Sequence, residues 1–176
     1  MSLQVISLRY DGESKIPDGY TDKEKEEIET TIREFEHQFA FVEEFGESAL
    51  TIWKRINEER GFKKGKFLIK KYGIEGDDIQ AVKRLIEAYI EDDPGRTAKP
   101  DIMIKKGKLI IESNGFCPLI ISAKILKIDM KYTCPYSTRP YFLAMCRAVN
   151  QKVKHKNTKW RAEGEKVCQE VFWIEG

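Results

Sequence analysis

The chain is poor in the residues and patterns that announce most functions. It has two histidines among 176 residues, His37 and His155. No apolar run approaches the roughly 20 residues that span a bilayer, so no membrane partner is expected. The first ten residues, MSLQVISLRY, carry neither a basic leader nor a small-residue cleavage site. No secretory signal is read there, and a cytoplasmic protein is expected. There is no C-x2-C pair, so a zinc finger is not indicated. There is no H-E-x-x-H, no P-loop and no G-x-G-x-x-G, which removes the readings those motifs carry. No Ser-His-Asp arrangement can be argued, and carboxylates are few in the C-terminal half.

What is present is a globular composition, with 41% hydrophobic and 34% charged residues and a net charge of +2. The charges are segregated. Residues 21–47 carry ten acids against three bases, and residues 124–166 eleven bases against three acids. Such runs are usually solvated surface. Without interleaved aromatics or a fold signature, nucleic acid is not expected as a partner.

Period and punctuation divide the chain. Residues 4–10 alternate loosely, as a short strand would. Thr21 to Glu24, T-D-K-E, is a capping box that opens a long helix with Ile28, Ile32, Phe35, Phe39 and Val42 on one face and Gly46 at its end. A second helix is expected over 47–60, with Ala49, Leu50, Trp53 and Ile56 inward and Gly61 as C-cap. A third covers 62–72. Asp77 or Asp78 caps a fourth, striped by Ile79, Val82, Leu85, Ile86, Tyr89 and Ile90. Residues 101–105 and 108–113 form a hairpin around Lys106-Gly107. Pro118 starts a helix just after Cys117, 128–133 is a connector or short strand, and Pro140 starts a helix through Val149. A second hairpin closes the chain over 153–160 and 165–174. The expected fold is α+β: N-terminal helices, then an antiparallel sheet from two hairpins with helices on one face. Residues 1–45 form an N-terminal strand, turn and long amphipathic helix; 46–174 form the cysteine-containing domain.

The chemistry concentrates between Asn114 and Asn150, which hold three of the four cysteines and both Cys-Pro pairs. Cys117 precedes a helix N-terminus, where amides and the dipole favour a thiolate, which is both a nucleophile and a soft metal ligand. Cys134 repeats the Cys-Pro context near Arg139, and Cys168 lies in the last strand. Cys117, Cys134 and Cys168 form the expected metal set, for zinc or iron. Cys146, on an apolar helix, reads as a core residue. Glu112, which ends a strand just before Cys117, is the general-base candidate. His155, between two lysines, reads as exposed, although it could reach the cysteines as a base or ligand. Asn114, Tyr132, Arg139 and Asn150 are candidates to line a ligand pocket.

The order of features over 46–174 resembles a known family. A hairpin runs into Asn114-Gly115-Phe116-Cys117-Pro118. Ala123-Lys124-Ile125-Leu126 follows, then Cys134, then Pro140 and a helix ending at Asn150, a basic strand, Gly164 and Cys168. This resembles the L-2-amino-thiazoline-4-carboxylic acid hydrolase-like family, and more distantly the 4-vinyl-reductase small-molecule-binding domain. The segment GESALTIWKRINEERGFKKG is similar to the helical lead-in of the former. The resemblance implies an α+β domain with a small-molecule pocket and metal bound through cysteines. For a hydrolase, water would open a cyclic C–N bond, with Cys117 as nucleophile or metal ligand, Cys134 as its partner, and Glu112 or His155 as proton carrier. Three functions follow: a small-molecule- or metal-binding protein centred on the cysteines, a hydrolase of cyclic amidine-like or amide-like bonds, and a structural or regulatory module that forms a homodimer through residues 1–45.

Overall fold

The computed structural model describes residues 16–92 and 99–176. The strand expected at 4–10 lies outside the described residues. Thr21 caps helix α1 (Asp22–Phe45). Its hydroxyl accepts from the Glu24 amide at 3.3 Å, and the Glu24 carboxylate accepts from the Thr21 amide at 2.9 Å. The predicted stripe of Ile28, Ile32, Phe35 and Phe39 is buried.

The two helices expected over 47–72 are a single helix, α2 (Ser48–Tyr72). Gly61 does not end it. Gly61 and Gly65 are buried inside it, where another helix crosses. A glycine's weak helix propensity is overridden there by a close contact between elements. Ile56, expected inward, is exposed. Helix α3 (Ile79–Glu91) is capped by Asp78, whose carboxylate accepts from the Ala81 amide at 2.8 Å.

Strands β1 (Asp101–Lys105) and β2 (Lys108–Ser113) turn through Lys106 and Gly107, both at positive φ. Two consecutive residues at positive φ suit the two-residue hairpin turn. Helix α4 (Pro118–Ile125) starts immediately after Cys117. The 128–133 connector contains a 3-10 turn, Met130–Tyr132. Helix α5 (Thr138–Arg147) begins two residues ahead of Pro140. Strands β3 (Val153–Lys159) and β4 (Cys168–Ile174) form the second hairpin. The strands make one antiparallel sheet in the order β1-β2-β4-β3, joined by pairing of β2 with β4. The fold is α+β, with the helices against one face. Among the described residues no helix is long and apolar enough to cross a membrane.

Strand alternation sends Leu109, Ile111, Val153 and Phe172 to the helical side, where they pack with Leu68, Val82, Leu85, Ile86, Met145 and Cys146. A second apolar cluster joins α1 to α4 and includes Ile28, Ile32, Phe35, Ala123, Leu126 and Trp160. The Ser122 hydroxyl, in α4, donates to the Ile28 carbonyl at 3.1 Å and ties the two helices together. Asn57, buried in α2, donates from Nδ2 to the Trp53 carbonyl at 3.0 Å and to the Tyr136 carbonyl at 3.3 Å.

Candidate functional site

A cavity of about 480 Å³ takes its walls from both clusters. α1 supplies Phe35 and Gln38, α2 supplies Trp53, Asn57 and Arg60, α3 supplies Ile86 and Tyr89, and α5 supplies Arg139, Tyr141 and Phe142. The sheet side supplies Ile111, Ser113, Asn157, Cys168 and Glu170, with Trp160 and Arg161 just beyond β3. Its size suits a small molecule.

Cys117, Cys134 and Cys168 all border this cavity, as the sequence suggested. Cys146 does not, and lies fully buried in the core. Among the described residues no group of three or more His, Cys, Asp or Glu side chains is placed to hold a metal ion. The expectation of a resting thiolate is corrected. Burial pushes the Cys117 thiol up, and the Ile120 and Leu119 amides of α4 with the Arg161 guanidinium offset it only in part. Burial, reinforced by Cys117, pushes Cys134 up to about 12. Burial likewise raises Cys146. The dipole argument holds for an exposed helix end; here desolvation is the larger effect.

The other candidates divide. Arg139 borders the cavity with its guanidinium over the Trp160 ring, 4.3 Å from the centroid. Asn114, Tyr132 and Asn150 are not among the lining residues. The Asn114 carbonyl accepts from Arg161 at 3.0 Å, Tyr132 packs in the α1–α4 cluster, and Asn150 donates to the Asp77 carbonyl at 2.8 Å. Glu112 points away. Ser113 pairs with Cys168 and Glu112 with Gln169, so Glu112 sits on the opposite face of the sheet from the cysteines. Its carboxylate accepts from Gln169 Nε2 at 2.5 Å. It is not placed as a base for Cys117.

His155 is not exposed. Its side chain is 6% accessible and its ring stacks on Phe172 at 4.5 Å. Nε2 has no hydrogen-bond partner, and the Glu170 carboxylate stands 3.8 Å away, too far for one. Burial, aided by the Arg139 guanidinium, pushes its pKa down to about 4. The folded imidazole is neutral at pH values where the unfolded one, near its ordinary value of about 6.5, takes up a proton. Stability from this group is therefore full above about pH 6.5, falls as the pH drops towards 4, and levels off below, by up to about 3 kcal/mol in all. Urea melts across that range check this. His155→Phe should flatten the acid slope, and an unchanged slope would assign it to other groups.

Among the described residues, five buried side-chain atoms lack a hydrogen-bond partner: Trp53 Nε1, Arg139 Nε, Asn157 Oδ1, Arg161 Nε and His155 Nε2. The first four belong to residues that line the cavity. Arg161 is held in place by its Nη1, which donates to the Asn114 and Gly115 carbonyls at 3.0 and 2.7 Å. Its own amide donates to Cys168 Sγ at 3.4 Å. The sequence reading took Trp53 for core and did not single out Arg161 or Asn157. The alternation of β3 carried part of the signal, since Asn157 falls on the same face as His155.

The chain matches no protein-family model and no curated protein.

Proposed function

We propose that the protein binds a small organic anion, a flat molecule bearing a carboxylate or a similar acceptor group, in this cavity. The observation that carries the reading is the set of unpartnered buried polar atoms on residues lining it: Trp53 Nε1, Arg139 Nε, Arg161 Nε and Asn157 Oδ1. A buried polar group without a partner costs about 1–3 kcal/mol. Native proteins leave few of them, and a cluster around one cavity is a site waiting for its complement. Three of the four are N–H donors, two of them on guanidinium groups, which favours an acceptor of negative charge. Asn157 Oδ1 asks for a donor in return, and Glu34 and Glu170 on the wall favour one too. The ligand therefore carries an N–H as well as an acid. Phe35, Tyr89, Tyr141, Phe142 and Trp160 provide an apolar surface for a ring. The three thiols add a neutral, polarisable patch.

The test is a thermal-shift series with pyrrole and indole carboxylates, each beside its neutral amide. The carboxylates should raise Tm saturably while the amides leave it unchanged. Equal shifts for acid and amide, or none for either, would sink the anion reading. Hydrolysis of a cyclic C–N bond in the bound molecule is the second reading. Its support is Cys117, which borders the cavity at the head of α4 with Arg161 partly offsetting burial. It requires turnover that vanishes in Cys117→Ser while binding persists; simple binding requires neither.

A further inference from the structure

The sheet has a second face, turned away from the helices and the cavity. Register sorts its side chains into three rows running across the strands. The first row holds Lys105, Lys108, Trp173 and Lys154. Lys108 Nζ lies over the Trp173 ring, 5.5 Å from the centroid, and Lys154 is paired with Glu175 at 3.0 Å. The middle row is apolar: Met103 opposite Ile110, Ile110 opposite Val171, with Lys156 at the outer edge. The third row holds Asp101, Glu112 and Gln169, with Lys159 opposite Gln169 at the β3 edge. Met103 is 42% exposed, and Ile110 and Val171 are only half-buried.

We propose that this face joins two copies of the chain, sheet against sheet. Over β1 and β2 a basic row, an apolar row and an acidic row make the surface complementary to itself under one operation. That operation is a two-fold axis lying between the sheets along the middle row. It sets Met103, Ile110 and Val171 of one copy against the same residues of the other. It also brings the first row of each over the third row of its mate, Lys105 over Asp101 and Lys108 over Glu112. Isologous contact of this kind is the usual way a chain dimerises, and two packed sheets stand about 10 Å apart, room for these side chains to interdigitate. The mismatches are confined to the β3 edge, where Lys156 meets its own copy and Lys154, already paired with Glu175, meets Lys159. The other apolar candidate is the helical pair Phe41 and Phe45, 57% and 60% exposed and stacked on one another. It serves a second copy less well, because its exposed neighbours Glu43 and Glu44 would face acids with acids.

Sedimentation velocity of the full chain over a concentration series tests the proposal. The wild type should sediment at twice the 20.5 kDa chain mass. Val171→Glu should be monomeric with an unchanged circular dichroism spectrum. Lys108→Glu should weaken the dimer by about tenfold or more, and Lys108→Glu with Glu112→Lys should restore it. The charge pair keeps the test decisive if Val171→Glu fails to fold. A wild type that stays monomeric overturns the proposal. So does a double variant no tighter than Lys108→Glu, or a dimer that ignores the sheet variants and dissociates in Phe41→Glu.

Discussion

Gly61→Ala will destabilise the fold by about 3 kcal/mol, although alanine is by about 1 kcal/mol the better helix former. A methyl group at position 61 would lie 2.1 Å from the Tyr141 carbonyl oxygen and 2.8 Å from its carbon. Both are backbone atoms of α5, so no side chain can swing aside. The helices would have to separate, and α2 against α5 is the most extensive helix–helix contact among the described residues. Gly65 repeats the constraint one turn on, with the Met145 carbonyl oxygen 2.5 Å and the Ala148 Cβ 2.7 Å from where its methyl would be. Urea denaturation of Gly61→Ala and Gly65→Ala measures the loss, with Lys66→Ala on the exposed side of the same turn as control. Any accommodation would move α5 and carry Arg139 with it, so ligand affinity should fall even where the variant still folds. A stabilised Gly61→Ala would show that the helices do not approach as closely as described.

Arg139→Leu should weaken binding of a carboxylate ligand by about a hundredfold or more, as expected when a charge-assisted hydrogen bond in a desolvated site is lost. Leucine keeps an apolar neighbour for Trp160 while removing both the charge and the Nε donor. Titration calorimetry on wild type and variant, with whichever acid gives the largest thermal shift, reads the change. The same substitution should leave the unliganded fold nearly as stable as before, since it removes an unpartnered buried donor rather than a satisfied one. The guanidinium also helps hold His155 down, so in Arg139→Leu the acid-induced loss of stability should be smaller. Unchanged affinity would remove Arg139 from the site and with it the main support for an anionic ligand.

Local rules made much of the fold legible. The capping box at Thr21, the stripe of α3, the Lys106-Gly107 hairpin and the proline after Cys117 each act over a few residues, and each is found in the structure. Gly61 was misread because a sequence shows glycine as a breaker. Only the partner helix reveals that its missing side chain makes room. The site was half legible for a related reason. Cys117, Cys134 and Cys168 do share a cavity, yet Glu112 was assigned to it although one step along a strand exchanges faces: Ser113 is on the cavity side and Glu112 is not. His155 was judged by Lys154 and Lys156, which alternation places on the other side of the sheet. Thiol acidity depends on how far each sulfur lies from water, and spacing along the chain does not encode that distance.

The strand order has a consequence for how the molecule is made. Each hairpin closes locally, but the central pairing of β2 with β4 brings together distant residues such as Glu112 and Gln169, 57 positions apart. Closing a loop of that length is entropically slow, and contacts of high sequence separation set the pace of folding in small domains. α4, α5 and all four cysteines but the last lie inside that loop. Cys168 reaches its place beside Ser113 only when the loop closes. Until then Cys117 and Cys134 are in an open chain, without the burial that keeps their thiols protonated in the finished protein. The thiols should therefore be most vulnerable during synthesis and refolding, and a reductant should improve the yield of refolding far more than it affects the native protein.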